Sequence, residues 1–197
     1  PVDYRTGASF WSVADAQGKR CKILNVPFAY PGDRMKQGVQ LSALGVPDLR
    51  GTTSTFITLA EGLRPEEVAA RLSGGKNMAL SFDSGDTARV RVPGPRNTQY
   101  AFRDPEAYAT CEMAISVDRA TGRGRIKAAG QAVEIAVGEW SDWLHLEYRM
   151  TPSYTAYGIT RFYPLEMGGK IRIYMAAQQY DPARPYAPIS TPGEYAN

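Results

Sequence analysis

Histidine occurs once in the 197 residues, as His145, and cysteine twice, as Cys21 and Cys111. These scarcities close off several chemistries. A zinc centre of the usual His and Cys ligands cannot be assembled, neither cysteine belongs to a CxxC pair, and a Ser-His-Asp triad would have to use the one imidazole. No apolar run approaches the roughly 20 residues of a membrane-spanning helix, so no membrane segment is expected and the chain reads as water-soluble. The 23 Lys and Arg are scattered among 20 Asp and Glu, which leaves no basic patch for a nucleic acid. GxxxxGK[ST] and GxGxxG are both missing, and with them the common phosphate-cradling loops. No charged segment followed by an apolar run follows Pro1, so no signal peptide is expected, and the compartment stays open.

What is present is an ordinary globular composition, 43% hydrophobic and 22% charged, in a length that suits one domain or two small ones. Residues 6 to 17 predict a short helix, with Ser9 as N-cap, Phe10, Val13 and Ala14 at helical spacing and Gly18 as stop. The apolar run Ile23, Leu24, Val26 predicts a strand buried on both faces. Residues 31 to 55 are dense in Gly, Pro, Asp and Arg and read as a long ordered loop. A second helix is expected over Arg64 to Leu72, with Pro65 near its first position, Glu66 and Glu67 in its first turn and a stop at Gly74 and Gly75.

From residue 77 the period becomes two. Cys111, Met113, Ile115 and Val117 alternate with polar residues, and DRATGR then supplies turn chemistry, with GRGR at 122 to 125 read as part of the turn. Val133, Ile135 and Val137, then Leu144, Leu146, Tyr148 and Met150, then Ile171, Ile173 and Met175 continue the alternation. The fold class is therefore α+β: a mainly antiparallel sheet or sandwich with one or two short helices, and an N-terminal segment suited to an α/β core. The Pro- and Tyr-rich end from residue 181 reads as an extended surface connection.

Candidate functional residues are few. His145, alternating with Leu144 and Leu146, reads as a sheet-surface histidine. In GEWSDW, Trp140 and Trp143 either form an aromatic platform for a sugar beside Asp142, or cap a core while Ser141 and Asp142 make a turn. Acid pairs such as Asp83 with Asp86 or Glu66 with Glu67 fall at turns and helix starts, where solvated carboxylates are expected. Asp48 and Arg50 stand on the Gly-punctuated loop GVPDLRGTT, either as substrate-facing groups or as an Asx-type turn with a solvated arginine. Arg96 and Asn97 in PGPRNT are similar in kind.

Six segments in order, FWSVADAQGKRCKILNVPFAYP, LSALGVPDLRGT, VPGPRN, GEWSDW, ITRFYP and YDPARPYAPISTPGEYA, resemble the middle region of bacterial type I phosphodiesterase/nucleotide pyrophosphatase-like proteins of the alkaline phosphatase superfamily. The resemblance implies a parent enzyme with two zinc or similar divalent ions held by Asp and His, and a Thr or Ser nucleophile attacking phosphorus. It places those ligands and the nucleophile before and after this region. No catalytic or metal-binding residue transfers to a position here, and the chain alone is expected to bind no zinc tightly and to be inactive.

The resemblance divides the chain into residues 1–60, a helix, strand and loop of a phosphatase-like core; 61–180, an inserted β-rich domain; and 181–197, an extended tail. It implies that the remainder of the parent core is the partner and a phosphoester the substrate, with Asp48, Arg50, Arg96 and Asn97 on the substrate side because an arginine fork binds two phosphate oxygens at once. The alternative is a standalone β-rich module that binds a carbohydrate or a protein through Tyr and Trp on its outer sheet face.

Overall fold

The computed structural model describes residues 6–42, 46–70, 74–97, 107–185 and 188–193. They divide into two compact units, one made of Pro1–Pro47 with Asp181–Asn197 and the other of Asp48–Tyr180. Residues 48–60 fall within the β-rich unit, where they carry one of its inner strands, and Ser190–Thr191 pair within the N-terminal unit.

In the first unit, helix α1 (Phe10–Ala16) starts at Ser9, whose hydroxyl accepts from the Ser12 N–H at 3.2 Å. Its buried face is not the apolar stripe the spacing predicts. Phe10 and Val13 are exposed while Trp11 and Asp15 are buried. The Asp33 carboxylate accepts from Trp11 Nε1 at 2.6 Å and from the Ser9 hydroxyl at 2.8 Å. Asp15 in turn accepts from the backbone N–H groups of Lys36, Gln37 and Gly38 at 2.6, 2.8 and 2.9 Å. A carboxylate that collects three amide protons ties a helix to a loop without apolar contact, at the cost of desolvating one charge.

Strand β1 (Lys22–Leu24) buries Ile23 and exposes Lys22 and Leu24, so it is not covered on both faces. It pairs in parallel with β2 (Val39–Leu41), which lies inside the stretch expected to be loop. The far edge of β2 is covered by Ser190–Thr191 from the tail, antiparallel. Inside, Gln40 is fully buried; its Nε2 donates to the Ala29 carbonyl at 2.6 Å and its Oε1 accepts from Asp33 N–H at 3.1 Å. Trp11, Ile23 and Ala29 form the small apolar core, with Cys21 half-buried at its margin.

The second unit opens with β3 (Phe56–Glu61), crosses over through α2 (Pro65–Ala69) and returns in β4 (Gly75–Leu80), parallel and in register from Phe56 opposite Gly75 to Glu61 opposite Leu80. Glu67 closes the helix start by accepting from Arg64 N–H at 3.0 Å. The helix ends sooner than expected, residues 71–73 lie outside the described residues, and Gly75 is already strand. An antiparallel meander follows, β5 (Thr87–Arg96), β6 (Tyr108–Asp118), β7 (Arg123–Ala128) and β8 (Gln131–Ala136), in that spatial order. Asp118 caps the β6–β7 turn by accepting from the Ala120 and Thr121 N–H groups, and of GRGR only Gly122 lies in the turn.

β9 (Leu144–Thr151) and β10 (Tyr154–Thr160) pair as a hairpin edged by β13 (Gln179–Tyr180), while β11 (Phe162–Glu166) and β12 (Arg172–Met175) extend the first sheet in the order β11-β12-β3-β4. Ile115, Val117, Val133, Ile135, Leu144, Leu146, Ile171 and Ile173 are all buried in one core, as the period of two requires. Val137 is exposed, because β8 ends at Ala136 and the chain turns so that Gly138 N–H reaches the Pro164 carbonyl at 3.0 Å. Cys111 is buried in β6 and neither cysteine is in a disulfide. Among the described residues no helix is long and apolar enough to cross a membrane.

Candidate anion-binding loop and aromatic face

The loop before β3 is built around Asp48. Buried to 1% exposure, its carboxylate accepts from the N–H groups of Arg50, Thr52 and Thr55 at 3.0, 2.8 and 3.1 Å and from the Thr52 hydroxyl at 2.5 Å. With four donors on two oxygens, Asp48 holds the loop's shape and has little capacity left for a ligand. Leu49 bolts the loop down: its N–H donates to the Gln178 carbonyl at 2.7 Å, and its side chain lies where a Cβ on Gly158 would stand 2.5 Å from Leu49 Cδ2.

Arg50 is thereby delivered to a fixed place. Its guanidinium carbon lies 5.7 Å from the centre of the Tyr108 ring, and among the described residues the buried Nε and Nη1 have no hydrogen-bond partner. Arg96 pairs across the β5–β6 ladder with Tyr108, so directly opposite residues bring the second cation beside the same tyrosine. Arg96 is exposed. Asn97 does not join them: it is buried, and its Nδ2 donates to the Met150 carbonyl at 2.9 Å.

Behind Arg50 the wall is Tyr148, whose hydroxyl donates to Gln178 Oε1 at 2.6 Å while Gln178 Nε2 donates to the Pro93 carbonyl at 2.9 Å. Burial pushes the Tyr148 phenol well above its ordinary value, and the Arg50 charge opposes that in part. The Cys111 thiol is likewise pushed up by burial, which keeps it protonated and a poor nucleophile. The contrast with Arg119 is informative. That guanidinium is fully paired, with Glu61 at 3.0 and 3.1 Å and with Asp86 at 2.7 Å, whereas Arg50 has no acid beside it among the described residues.

A second assembly lies on the outer face of the β11-β12-β3-β4 sheet. Residues 138–143 run beside β11, fixed by Ser141, whose N–H donates to the Phe162 carbonyl at 2.9 Å and whose hydroxyl accepts from Phe162 N–H at 3.0 Å. Trp140 and Trp143 therefore do not cap a core; each is 46% exposed. The Arg161 guanidinium lies 4.2 Å from the Trp140 ring centre and 5.2 Å from that of Trp143. Trp140 also meets Tyr163 and Tyr174, which stand opposite each other on β11 and β12. His145 lies half-buried on β9, opposite Ile159.

Among the described residues no three His, Cys, Asp or Glu side chains gather to hold a metal. In comparisons with models of protein families, with curated proteins and with solved structures, nothing matches this chain. The sequence pointed to Arg50 and to the tryptophans through their loops. It missed Tyr108 and Arg161, which sit in strand-like contexts with no local signal of a site.

Proposed function

We propose that this chain is a non-catalytic domain of a metal-dependent phosphodiesterase or pyrophosphatase-like hydrolase, in which Arg50, with Arg96 beside it, contacts the phosphate of the substrate. The observation that carries the reading is the unpartnered pair of nitrogens on Arg50. A guanidinium that gives up water without gaining an acceptor is costly, and an oxyanion is the group that relieves the cost, two oxygens to one fork. The rigid Asp48 loop supports it, since a phosphate contact is only selective when its donor is held in place. The six ordered segments supply the reaction class. On this reading the two divalent ions and the nucleophile belong to the rest of the parent enzyme, which is the domain's partner.

The test is a titration of the purified chain with bis(p-nitrophenyl) phosphate, followed by the arginine Nε–Hε signals. Arg50 is expected to shift on saturation while Arg119, already paired, does not. Arg50→Lys is expected to weaken binding at least fivefold with little change in melting temperature. An unmoved Arg50 signal would remove the phosphate contact. Turnover of the same ester by the chain with zinc or manganese, abolished by His145→Ala, would overturn the non-catalytic reading.

A further inference from the structure

The GEWSDW segment and its neighbours on β11 and β12 take no part in that function. Trp140, Tyr163, Leu165 and Tyr174 line an open depression of about 440 Å³ on the outer sheet face, within the range of small-ligand sites. Three large apolar groups around it, Trp140, Trp143 and Leu165, are 46 to 51% exposed, and a cluster of that kind marks a recognition surface. The rings are held by the backbone. Tyr163 and Tyr174 face each other across the ladder, Phe56 stacks on Tyr174 with ring centres 5.1 Å apart, and Ser141 pins the tryptophan segment to β11.

Arg161 gives the patch its chemistry. Its charge is balanced by two indole faces, 4.2 and 5.2 Å away, and not by an acid: among the described residues the guanidinium makes no hydrogen bond or ion pair. Stacking uses the flat faces of the ion and leaves its in-plane N–H donors available. The Tyr163 and Tyr174 hydroxyls likewise have no hydrogen-bond partner among the described residues. Ring faces that stack on C–H groups, hydroxyls that bond to hydroxyls and one planar fork for a carboxylate together describe a sugar ring bearing an acid.

We infer that the face formed by Trp140, Trp143, Arg161, Tyr163 and Tyr174 is a binding site for an acidic saccharide of the uronic acid class, with the carboxylate on Arg161 and the pyranose faces on the rings. A shallow open face suits a chain of sugars better than a buried metabolite, and a phosphate would not use the stacking surface. The site is separate from Arg50 and does not depend on the phosphoester reading.

The experiment uses the 197-residue chain and three probes: a tetragalacturonate, a neutral glucose tetrasaccharide and a hexaglutamate peptide. Binding is read from the indole Nε1–H signals of Trp140 and Trp143, with Trp11 as internal reference. Tetragalacturonate is expected to shift Trp140 and Trp143 but not Trp11, and to bind at least tenfold tighter than the neutral sugar. Arg161→Gln is expected to abolish that preference, and Tyr163→Ala to weaken both sugars. Arg50→Lys is expected to leave all of this unchanged. Equal binding of the neutral sugar, tighter binding of the acidic peptide, or unmoved indole signals with folded protein would each overturn the assignment.

Discussion

Gly94 lies flat against the ring of Tyr148: a Cβ on residue 94 would stand 2.2 Å from both Cδ1 and Cε1 of that ring. Tyr148 cannot retreat, because its hydroxyl is bonded to Gln178 and Gln178 is bonded back to Pro93, next to the glycine. Gly94→Ala is therefore expected to destabilise the β-rich unit by about 2–3 kcal/mol through overpacking. Tyr148→Phe, which orphans the Gln178 acceptor, is expected to cost about 1–3 kcal/mol. Urea unfolding measures both, and a Gly94→Ala protein as stable as the wild type would refute the wedge.

Arg119 is the second lock. From the β6–β7 turn it reaches Glu61 at the end of β3, Asp86 in the turn before β5, and the carbonyls of Gly168 and Gly169 at 3.3 Å. Its two acids hold the guanidinium protonated beyond any working pH. Arg119→Met is expected to cost about 2 kcal/mol, with loss of the two ion pairs and exposure of two carboxylates to each other. The cost is expected to fall in Glu61→Gln/Asp86→Asn protein, where Arg119 has no charge to meet. Equal cost in both backgrounds would show that the side chain acts by packing on Phe82 instead.

In the smaller unit, stability is expected to depend on pH through Asp15. The N–H groups of Lys36, Gln37 and Gly38 hold its carboxyl below the ordinary value, Lys36 most strongly. Because the folded value is depressed, the stabilisation is complete above the unfolded pKa of about 3.9 and is lost as pH falls through the folded value. Between pH 5 and 2 the Gln37 and Gly38 amides are expected to lose protection in the wild type, their exchange approaching the intrinsic rate at each pH. In Asp15→Asn they are expected to be fast already at pH 5, with no further step. A wild type and variant that track each other would remove the carboxylate from the account.

The sequence was legible where side-chain spacing alone decides the outcome. Ile115, Val117, Leu144 and Leu146 alternate with polar neighbours, and such alternation leaves a strand one face to bury. It was opaque where the partner lies far along the chain. Nothing near Asp15 announces that its charge will be met by amides 21 to 23 residues away, so the helix was expected to dock by Phe10 and Val13. The two-residue strand Ser190–Thr191 is too short to carry a period, and the parallel pairing of β3 with β4 depends on a crossover that local residues only partly specify.

The candidate site divides the same way. The Gly-rich loop drew attention to Asp48 and Arg50, yet only the fold separates their roles: backbone amides claim Asp48, and nothing claims the two buried nitrogens of Arg50 among the described residues. Asn97, singled out beside Arg96, is buried and donates to the Met150 carbonyl. Arg161 could not be found from sequence, since an arginine preceding a strand is commonplace until two indoles are seen beside it.

The hydrogen bond from Leu49 to Gln178 has a consequence for portability. It joins the entry and exit of the segment Asp48–Tyr180 at 2.7 Å. A segment whose two ends are neighbours interrupts its host at a single point in space, and the host loses little chain entropy by accommodating it. Residues 48–180 thus have the anatomy of a cassette, able to be lifted out, given new ends at a surface turn, or set into another scaffold without stretching either party.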